Sequence, residues 1–389
     1  MVLAIFWQFF LLGLMSFGGP AAHIGYFKKR FVDELNWLDA NTYASFVALS
    51  QVIPGPGSSQ VGFSIGHFRG GLAGGVAAFV GFTLPSFTLL TLLAVSSTNW
   101  LGASWFDGLI HGLKLMAVVV VADAVLGMFQ QFCRQPITKL LMIISAAITL
   151  TFATIWSQLL LLVVAGGIGG YFLSIKSFEL DEKRGLNLGL GLDLKWLAVF
   201  GVLFILSLLL LTSSSPLGQL FAQFYQAGSL VFGGGHVVLP LLEMSVGQQI
   251  SSERFLSGYA LAQAVPGPMF TLAAFLGAES WSAKPIIAAL VATLAIFLPG
   301  FLLLLSALKS WHGLMENVKF RGAIAGINAA VVGLLLAALM SPVITNAIFS
   351  LVDLLLVIMG FWLSKRFRLN ILWLVLGYIF IGLGFGLMG

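Results

Sequence analysis

The chain repeats itself in a fixed order. Phe17-Gly18-Gly19 and then Gln51-Val52-Ile53-Pro54-Gly55-Pro56 return as Phe232-Gly233-Gly234 and Gln263-Ala264-Val265-Pro266-Gly267-Pro268. Between and beyond them Leu84-Pro85 returns as Leu298-Pro299, and the offset stays within 212 to 215 residues throughout. A duplication of helix-breaking motifs limits the fold to two copies of one unit. In a membrane chain, paired interruptions of this kind point to a transport site.

Composition supplies the membrane. Of 389 residues, 59% are hydrophobic and 8% charged, with a mean hydropathy of +1.03. A soluble domain of this size needs more polar surface. Apolar segments, many near the ~20 residues of a membrane crossing, fall at 3–20, 40–67, 71–97, 107–131, 137–155 and 157–175. A polar linker from Lys176 to Lys195 and one unpaired helix near 196–212 follow. A second set then spans 217–240, 255–280, 284–308, 319–340, 347–364 and 370–388. The expected fold is an all-α polytopic membrane protein: a first repeat over 1–175, a connecting linker and helix over 176–213, and a second repeat over 214–389. The stretch Met1–Leu14 has no basic residue ahead of its apolar run, so it reads as a first membrane helix rather than a cleaved signal peptide. The single Cys133 excludes an intramolecular disulfide and a multi-cysteine metal site. The net charge of +5 lies in loops and reports orientation, not nucleic-acid binding.

Loop charge gives the relation between the halves. Arg134 and Lys139 stand in a loop whose later equivalent, near 341–346, has no basic residue. The turn near 156 is bare, and its equivalent carries Lys365, Arg366 and Arg368. The loop at 98–106 is bare, and 309–321 carries Lys309, Lys319 and Arg321. Basic loops face the cytoplasm, so the halves are expected in inverted orientation, with the unpaired helix supplying the odd crossing. Lys28, Lys29 and Arg30 fit this scheme if the first two elements of each half are re-entrant hairpins with the motifs at their tips. They do not fit thirteen simple crossings.

At Pro54-Gly55-Pro56 a helix must stop, because two backbone donors are missing. Pro56 suits the first position of a new helix, which opens with amides at Gly57, Ser58, Ser59 and Gln60. Such amides, at the positive end of the helix dipole, suit an anion, and the Ser58 and Ser59 hydroxyls add donors. In the second half Pro266-Gly267-Pro268 leads to Thr271. Irregular backbone at membrane depth is tolerated where it is buried in protein or lines a cavity; kinked packing helices are the plainer alternative. Gly18, Gly19, Gly233, Gly234 and Gly235 allow close approach of a ligand, and equally close packing of helices. Gln51 and Gln263 either donate into the breaks or satisfy carbonyls freed by proline.

Few ionisable residues lie within the apolar segments, and each is a functional candidate. Lys114, with Asn328 as its counterpart, suits an anionic substrate; His111 shares its face. Asp123 is out of phase with Lys114 and faces another element, where it pairs or carries a coupling proton. His23 and His236 follow the glycine motifs and are further coupling candidates, since imidazole titrates near neutral pH. Arg69 and Glu243 read as anchors at element ends. No phosphate-binding loop, zinc spacing or nucleophile elbow is present, so enzymatic chemistry, a metal and a cofactor are not indicated.

At these residues the chain resembles the chromate ion transporter family over nearly its whole length. The resemblance rests on Ser16-Phe17-Gly18-Gly19-Pro20-Ala21-Ala22-His23, Asn36-Trp37-Leu38, Ala48-Leu49-Ser50-Gln51 running into Pro54-Gly55-Pro56, Ile65-Gly66-His67-Phe68-Arg69-Gly70-Gly71-Leu72 and Thr83-Leu84-Pro85. It continues at Phe232-Gly233-Gly234-Gly235-His236 through Glu243, at Ala262 through Pro268, and from Ala325 to Leu335. His67-Phe68-Arg69 is less basic than the family pattern, and no second-half counterpart of Trp37 stands near Gln249-Ile250-Ser251. The resemblance implies export of chromate, with sulfate as the structural analogue, from the bacterial cytoplasm across the inner membrane, driven by an ion gradient. The coupling ion, proton or counter-anion, stays open. An anion channel on the same architecture and oxyanion uptake are the alternatives, and a homodimer is compatible with the sequence.

Overall fold

The computed structural model describes residues 1–17, 19–97, 103–152, 154–173, 193–232, 238–246, 249–308, 317–367, 369 and 371–388. The first repeat contains α1 (Val2–Met15), α2 (Gly19–Phe27), α3 (Ala40–Ser50), α4 (Gly57–Ser97), α5 (Ser104–Phe132), α6 (Pro136–Thr151) and α7 (Ile155–Ile168). The connecting helix α8 is Leu194–Leu210. The second repeat contains α9 (Pro216–Leu230), α10 (Val238–Val246), α11 (Ser252–Ala264), α12 (Leu272–Ser280), α13 (Pro285–Ala307), α14 (Val318–Ala338), α15 (Leu351–Phe367) and α16 (Ile371–Met388). No strand occurs among the described residues. Polar caps start several helices where sequence demands it: Asp39 accepts from the amides of Asn41 and Thr42, and Ser251 from Arg254, each satisfying a first-turn donor.

The chain turns back at its motifs rather than passing straight through. Gln8 of α1 accepts from Arg30 at 2.9 Å, and the Phe9 ring stacks on Phe31 at 4.6 Å. Those pairs are centred on Gly19 and Pro20. A continuous helix would hold residues 9 and 31 about 33 Å apart at 1.5 Å per residue. The α1–α2 unit is therefore a hairpin that turns between the end of α1 and the start of α2. The α3–α4 junction behaves alike: Phe46 meets Phe68 at 6.1 Å and the Arg69 guanidinium lies 5.7 Å from the Trp37 ring. The tip of that hairpin is Pro54-Gly55-Pro56. In the second repeat Arg254 of α11 pairs with Glu279 of α12, placing Pro266-Gly267-Pro268 at a third tip. Helix α9 packs along α10, and the intervening 233–237 lies outside the described residues. At the α1–α2, α3–α4 and α11–α12 junctions the described residues turn back on themselves, as the hairpin reading expects.

Helix α4 itself folds over. Gly70 and Gly71 leave helical geometry, with Gly71 at φ +61°. Its arms 57–69 and 72–97 pack antiparallel so closely that a Cβ on Gly74 would strike the Gly66 carbonyl. The second arm, α5, α13 and α14 with its continuation are long and apolar enough to cross a bilayer.

The repeats face opposite ways. Helix α13 starts at Pro285, beside the Arg254–Glu279 base of the second-repeat hairpin, and meets Phe270 just past that hairpin's tip with Phe297 at 5.8 Å. It reaches the first-repeat tip at Gly300 and stacks Phe301 on Phe63 at 4.6 Å, on the way from that tip toward the first-repeat base. The two bases thus sit at opposite ends of one crossing helix. The tips meet part-way along: a Cβ on Gly55 would lie 2.8 Å from Gly300 Cα, and one on Gly267 2.7 Å from Ser86 Oγ. Ser86 and Gly300 are themselves equivalent positions, each following its Leu-Pro pair. Within each repeat an equivalent close approach occurs, Gly13 against the Phe82 carbonyl and Gly228 against that of Ile296. Small residues let backbones approach in this way where lipid gives no hydrophobic drive between helices. A fully buried aromatic cluster of Phe9, Phe27, Phe31 and Phe82 fixes the first hairpin on the second arm of α4.

Candidate functional site

Two reciprocal hydrogen bonds organise the tips. The Gly55 amide donates to the Val231 carbonyl at 2.7 Å, and the Gly267 amide to the Ser16 carbonyl at 3.0 Å. Ser16 and Val231 each immediately precede a Phe-Gly-Gly motif, so each Pro-Gly-Pro break is held by the other repeat's glycine break. Both glycines need positive φ, +128° and +113°, a region an L side chain rarely enters.

Beyond Pro56 the first intrahelical bond is from the Gln60 amide to the Pro56 carbonyl, 2.9 Å. The Gln60 amide, expected to be free, is therefore used. Those of Gly57, Ser58 and Ser59 have no intrahelical acceptor and stand at the positive end of the dipole. The Gln60 side chain, fully buried, donates to the carbonyls of Pro54 (2.9 Å) and Gly300 (3.1 Å), pinning the tip to α13.

His23, fully buried, lies against the same tip. Its Nε2 is 3.2 Å from the Ser16 carbonyl and its Nδ1 3.2 Å from Ser58 Oγ, with Phe82 edge-on at 5.2 Å. A carbonyl only accepts, so Nε2 carries the proton. In the neutral ring Nδ1 then accepts from the Ser58 hydroxyl. Around this point Ser16 Oγ, Ser59 Oγ, Gln60 Oε1 and Thr83 Oγ1 are buried without a partner. These are the buried polar atoms at this tip that the protein itself leaves unpaired.

The second repeat's tip is not a copy. Thr271 donates both its amide (3.0 Å) and its hydroxyl (2.6 Å) to the Pro268 carbonyl, so this donor is turned into its own 3₁₀ turn. Gln263 is buried and bonded to Tyr259 and Met269, whereas Gln51 is exposed; the matched glutamines occupy different surroundings. Pro54 and Pro266 are half-buried, Pro56 and Pro268 buried, and Gly19 takes φ +73°. Gly18, Gly233, Gly234, Gly235 and His236 lie outside the described residues.

Three expected polar residues lie elsewhere. Lys114, 6% exposed, reaches Glu253 at 3.3 Å. Both line a cavity of about 540 Å³ with Asp107, His111, Arg254 and Asn346 at the base of the second-repeat hairpin. His111 pairs with Asp353 at 2.8 Å. Asn328 is buried on α14 with its Oδ1 unpartnered. Asp123 does face another element, forming an ion pair with Lys365 in which both side chains are roughly half exposed. Among the described residues no three His, Cys, Asp or Glu gather as metal ligands.

Sequence reading missed Ser16, Thr83, Ser86 and Gly300 as parts of this site and took Gln60 only as an amide. The signal for Ser86 and Gly300 was present in the third matched pair, whose following residues meet the tips. Ser16 and Thr83 stand at the starts of two of the family-like motifs, but nothing in their own chemistry assigns them to the tip.

Opposed re-entrant hairpins meeting part-way along long apolar helices define a multi-pass membrane protein of the transporter class. The chromate transporter family model matches residues 3–171 and 218–383, and the chain belongs to that family. It is 29% identical over 348 residues to an uncharacterised transporter of Methanocaldococcus jannaschii, covering 86% of this chain and 83% of that one. It is 27% identical over 339 residues to a probable chromate transport protein of Synechococcus elongatus (85% and 82%). A chromate transport protein of Pseudomonas aeruginosa is 26% identical over 340 residues (85% and 78%). No solved structure matches.

Proposed function

We propose that this chain is a secondary active transporter exporting chromate, or a related tetrahedral oxyanion such as sulfate, across the bacterial inner membrane by alternating access. The observation that carries the reading is the reciprocal bonding of Gly55 to Val231 and Gly267 to Ser16. It gathers broken helix ends from inverted repeats at one depth. A tetrahedral dianion there exchanges hydration for the amides of Gly57, Ser58 and Ser59 and for hydroxyl donors. Gly18, Gly19, Gly233, Gly234 and Gly235 give backbone access from the opposing tips. Pro54, Gly55, Pro56, Pro266, Gly267 and Pro268 hold the breaks open. His23 and His236 are the coupling groups. The names of the Synechococcus and Pseudomonas relatives support chromate as substrate.

Charge supports the orientation. With hairpins at the start of each repeat, Lys28, Lys29, Arg30 and Arg69 share an end of the molecule with Arg134, Lys139, Arg321 and Lys365, which is the cytoplasmic end by the preference of basic residues. Burial of Ser58, Ser59 and Gln60 favours an occluded carrier over a standing pore. Inverted membrane vesicles provide the test, with chromate, sulfate and molybdate compared under separately imposed pH and voltage gradients. Accumulation of chromate against its own gradient is expected. Flux that only ever runs downhill would leave the channel, and no oxyanion flux at all would discard the reading.

A further inference from the structure

The contacts of His23 carry a statement about the sign of coupling, resting on the oxyanion site proposed above. The ring has two neighbours of different character. The Ser16 carbonyl accepts and nothing else, and it already receives the Gly267 amide at 3.0 Å. The Ser58 hydroxyl both donates and accepts, and at 3.2 Å from Nδ1 it must point its hydrogen at the neutral ring. In that state the hydroxyl has no hydrogen left for a ligand, although the Ser58 amide beside it has no helical acceptor.

Protonation reverses the arrangement. Both ring nitrogens of an imidazolium donate, so Nδ1–H turns to the lone pair of Ser58 Oγ. The Ser58 hydrogen is released for an oxyanion held by the amides of Gly57, Ser58 and Ser59. A cation then stands one hydroxyl away from that anion. Each change favours an anion, and an anion there favours the imidazolium. We propose that one proton on His23 and one oxyanion bind together, through reversal of the Ser58 hydroxyl, so that the transporter carries proton and anion in the same direction instead of exchanging them.

Among the described residues of the elements packed against it, no charged side chain is paired with the ring. Helix α1 has no ionisable side chain, and α4 contributes only His67 and Arg69, at the hairpin base. On α3, Tyr43 spends its hydroxyl on the Ile24 carbonyl at 2.5 Å, and Asp39 caps the exposed helix start. Along its own element Tyr26 follows three residues on, and Lys28, Lys29, Arg30, Asp33 and Glu34 lie at the base, with Arg30 paired to Glu34 at 2.7 Å. The 265–268 segment of the second repeat has none, and His236 lies outside the described residues.

Pseudo-symmetry sets the count. The position equivalent to Ser58 is Phe270, and the one equivalent to Ser16 is Val231, whose carbonyl takes Gly55. Phe270 has no hydroxyl to reverse, so this relay exists in one repeat and carries one proton with each anion. A dianion leaving with one proton still moves net negative charge outward, which an inside-negative membrane potential drives.

Calorimetric titration of chromate into the purified full-length protein, in buffers of different ionisation enthalpy above about pH 7.5, counts protons taken up per anion bound. The expected result is uptake approaching one proton, with affinity falling up to about tenfold per pH unit. His23→Gln keeps an acceptor for Ser58 and a donor for Ser16; it should bind chromate with no proton uptake and a flat pH profile. Ser58→Ala, the second variant, should bind several-fold more weakly with a shallower slope. Binding by the wild type without proton uptake, or with release, overturns the coupling and leaves the oxyanion site standing. Uptake that persists in His23→Gln also overturns it. Absence of chromate binding would defeat the oxyanion site and the coupling with it.

Discussion

The amide of Gly55 donates to the carbonyl of Val231 across 2.7 Å, from the first repeat into the second. Its mirror relation, Gly267 to Ser16, runs the other way at 3.0 Å. Neither bond can form within a single repeat, so neither tip is complete alone. A two-repeat chain of this kind is an obligate unit because its central backbone groups are satisfied only across the duplication.

The two glycines are expected to respond differently to the same change. Alanine at either meets an unfavourable φ and an overlapping neighbour, for a combined cost of about 2–4 kcal/mol. The neighbours of Gly55 are Gly300 Cα, which has no side chain to trim, and the Gln60 amide nitrogen, which the carbonyls of Pro54 and Gly300 already hold. That of Gly267 is Ser86 Oγ. Adding Ser86→Gly to Gly267→Ala should therefore recover part of the lost thermal stability, whereas no single substitution at position 300 rescues Gly55→Ala. Unfolding midpoints of the four variants in detergent measure this, and equal recovery at both sites would contradict the tip packing.

Hydroxyls around the tip divide by whether they are already engaged. Ser59 Oγ is buried and unpartnered, while Thr271 Oγ donates to Pro268. Ser59→Ala is expected to change stability by less than about 0.5 kcal/mol. It should reduce chromate flux about tenfold or more, the worth of one hydrogen bond to a charged ligand. Thr271→Ala should do the reverse, costing about 1 kcal/mol of stability with near-normal flux. Vesicle flux normalised to abundance, set beside unfolding midpoints, separates the two.

Much of this architecture can be read from residues, and the reason is physical. Proline and glycine act through covalent geometry, so Pro54-Gly55-Pro56 breaks a helix in any context. Duplication then makes the break legible as one half of a pair, and Lys28, Lys29 and Arg30 made sense only beside hairpins. Side-chain partnerships are another matter. Gln51 and Gln263 have matched flanks, yet one is exposed and the other held by Tyr259 and Met269. Asp123 and Lys114 were singled out for lying in apolar runs, but the partners that define them, Lys365 and Glu253, are remote in sequence. Periodicity along a helix fixes which face a residue shares, not what the fold lays against that face.

The hairpins carry a labelling prediction. In a Cys133→Ser background, cysteines placed at Lys28 and at Arg134 should react with an impermeant thiol reagent from one side of the membrane, and a cysteine at Glu253 from the other. Thirteen plain crossings would put Lys28 and Arg134 on opposite sides. Sidedness in whole cells against inverted vesicles reads the outcome directly.

Lys114 and Glu253 form an unequal pair, and the inequality predicts which partner matters. The lysine side chain is 7% exposed and the glutamate 77%. Removing the glutamate strands a buried cation, which is costly, whereas removing the lysine leaves a carboxylate that water already solvates. Glu253→Gln is therefore expected to destabilise by about 1–3 kcal/mol, and Lys114→Gln by less, or not at all. Glu253 lies eleven residues before the end of α11, about 16 Å from the tip at 1.5 Å per residue. Substrate affinity at the tips should then be nearly the same in both variants. Chromate titrations and unfolding midpoints on the two proteins settle the assignment. A Lys114→Gln variant that folds normally but binds chromate tenfold more weakly would move the lysine from the hairpin base into the substrate site.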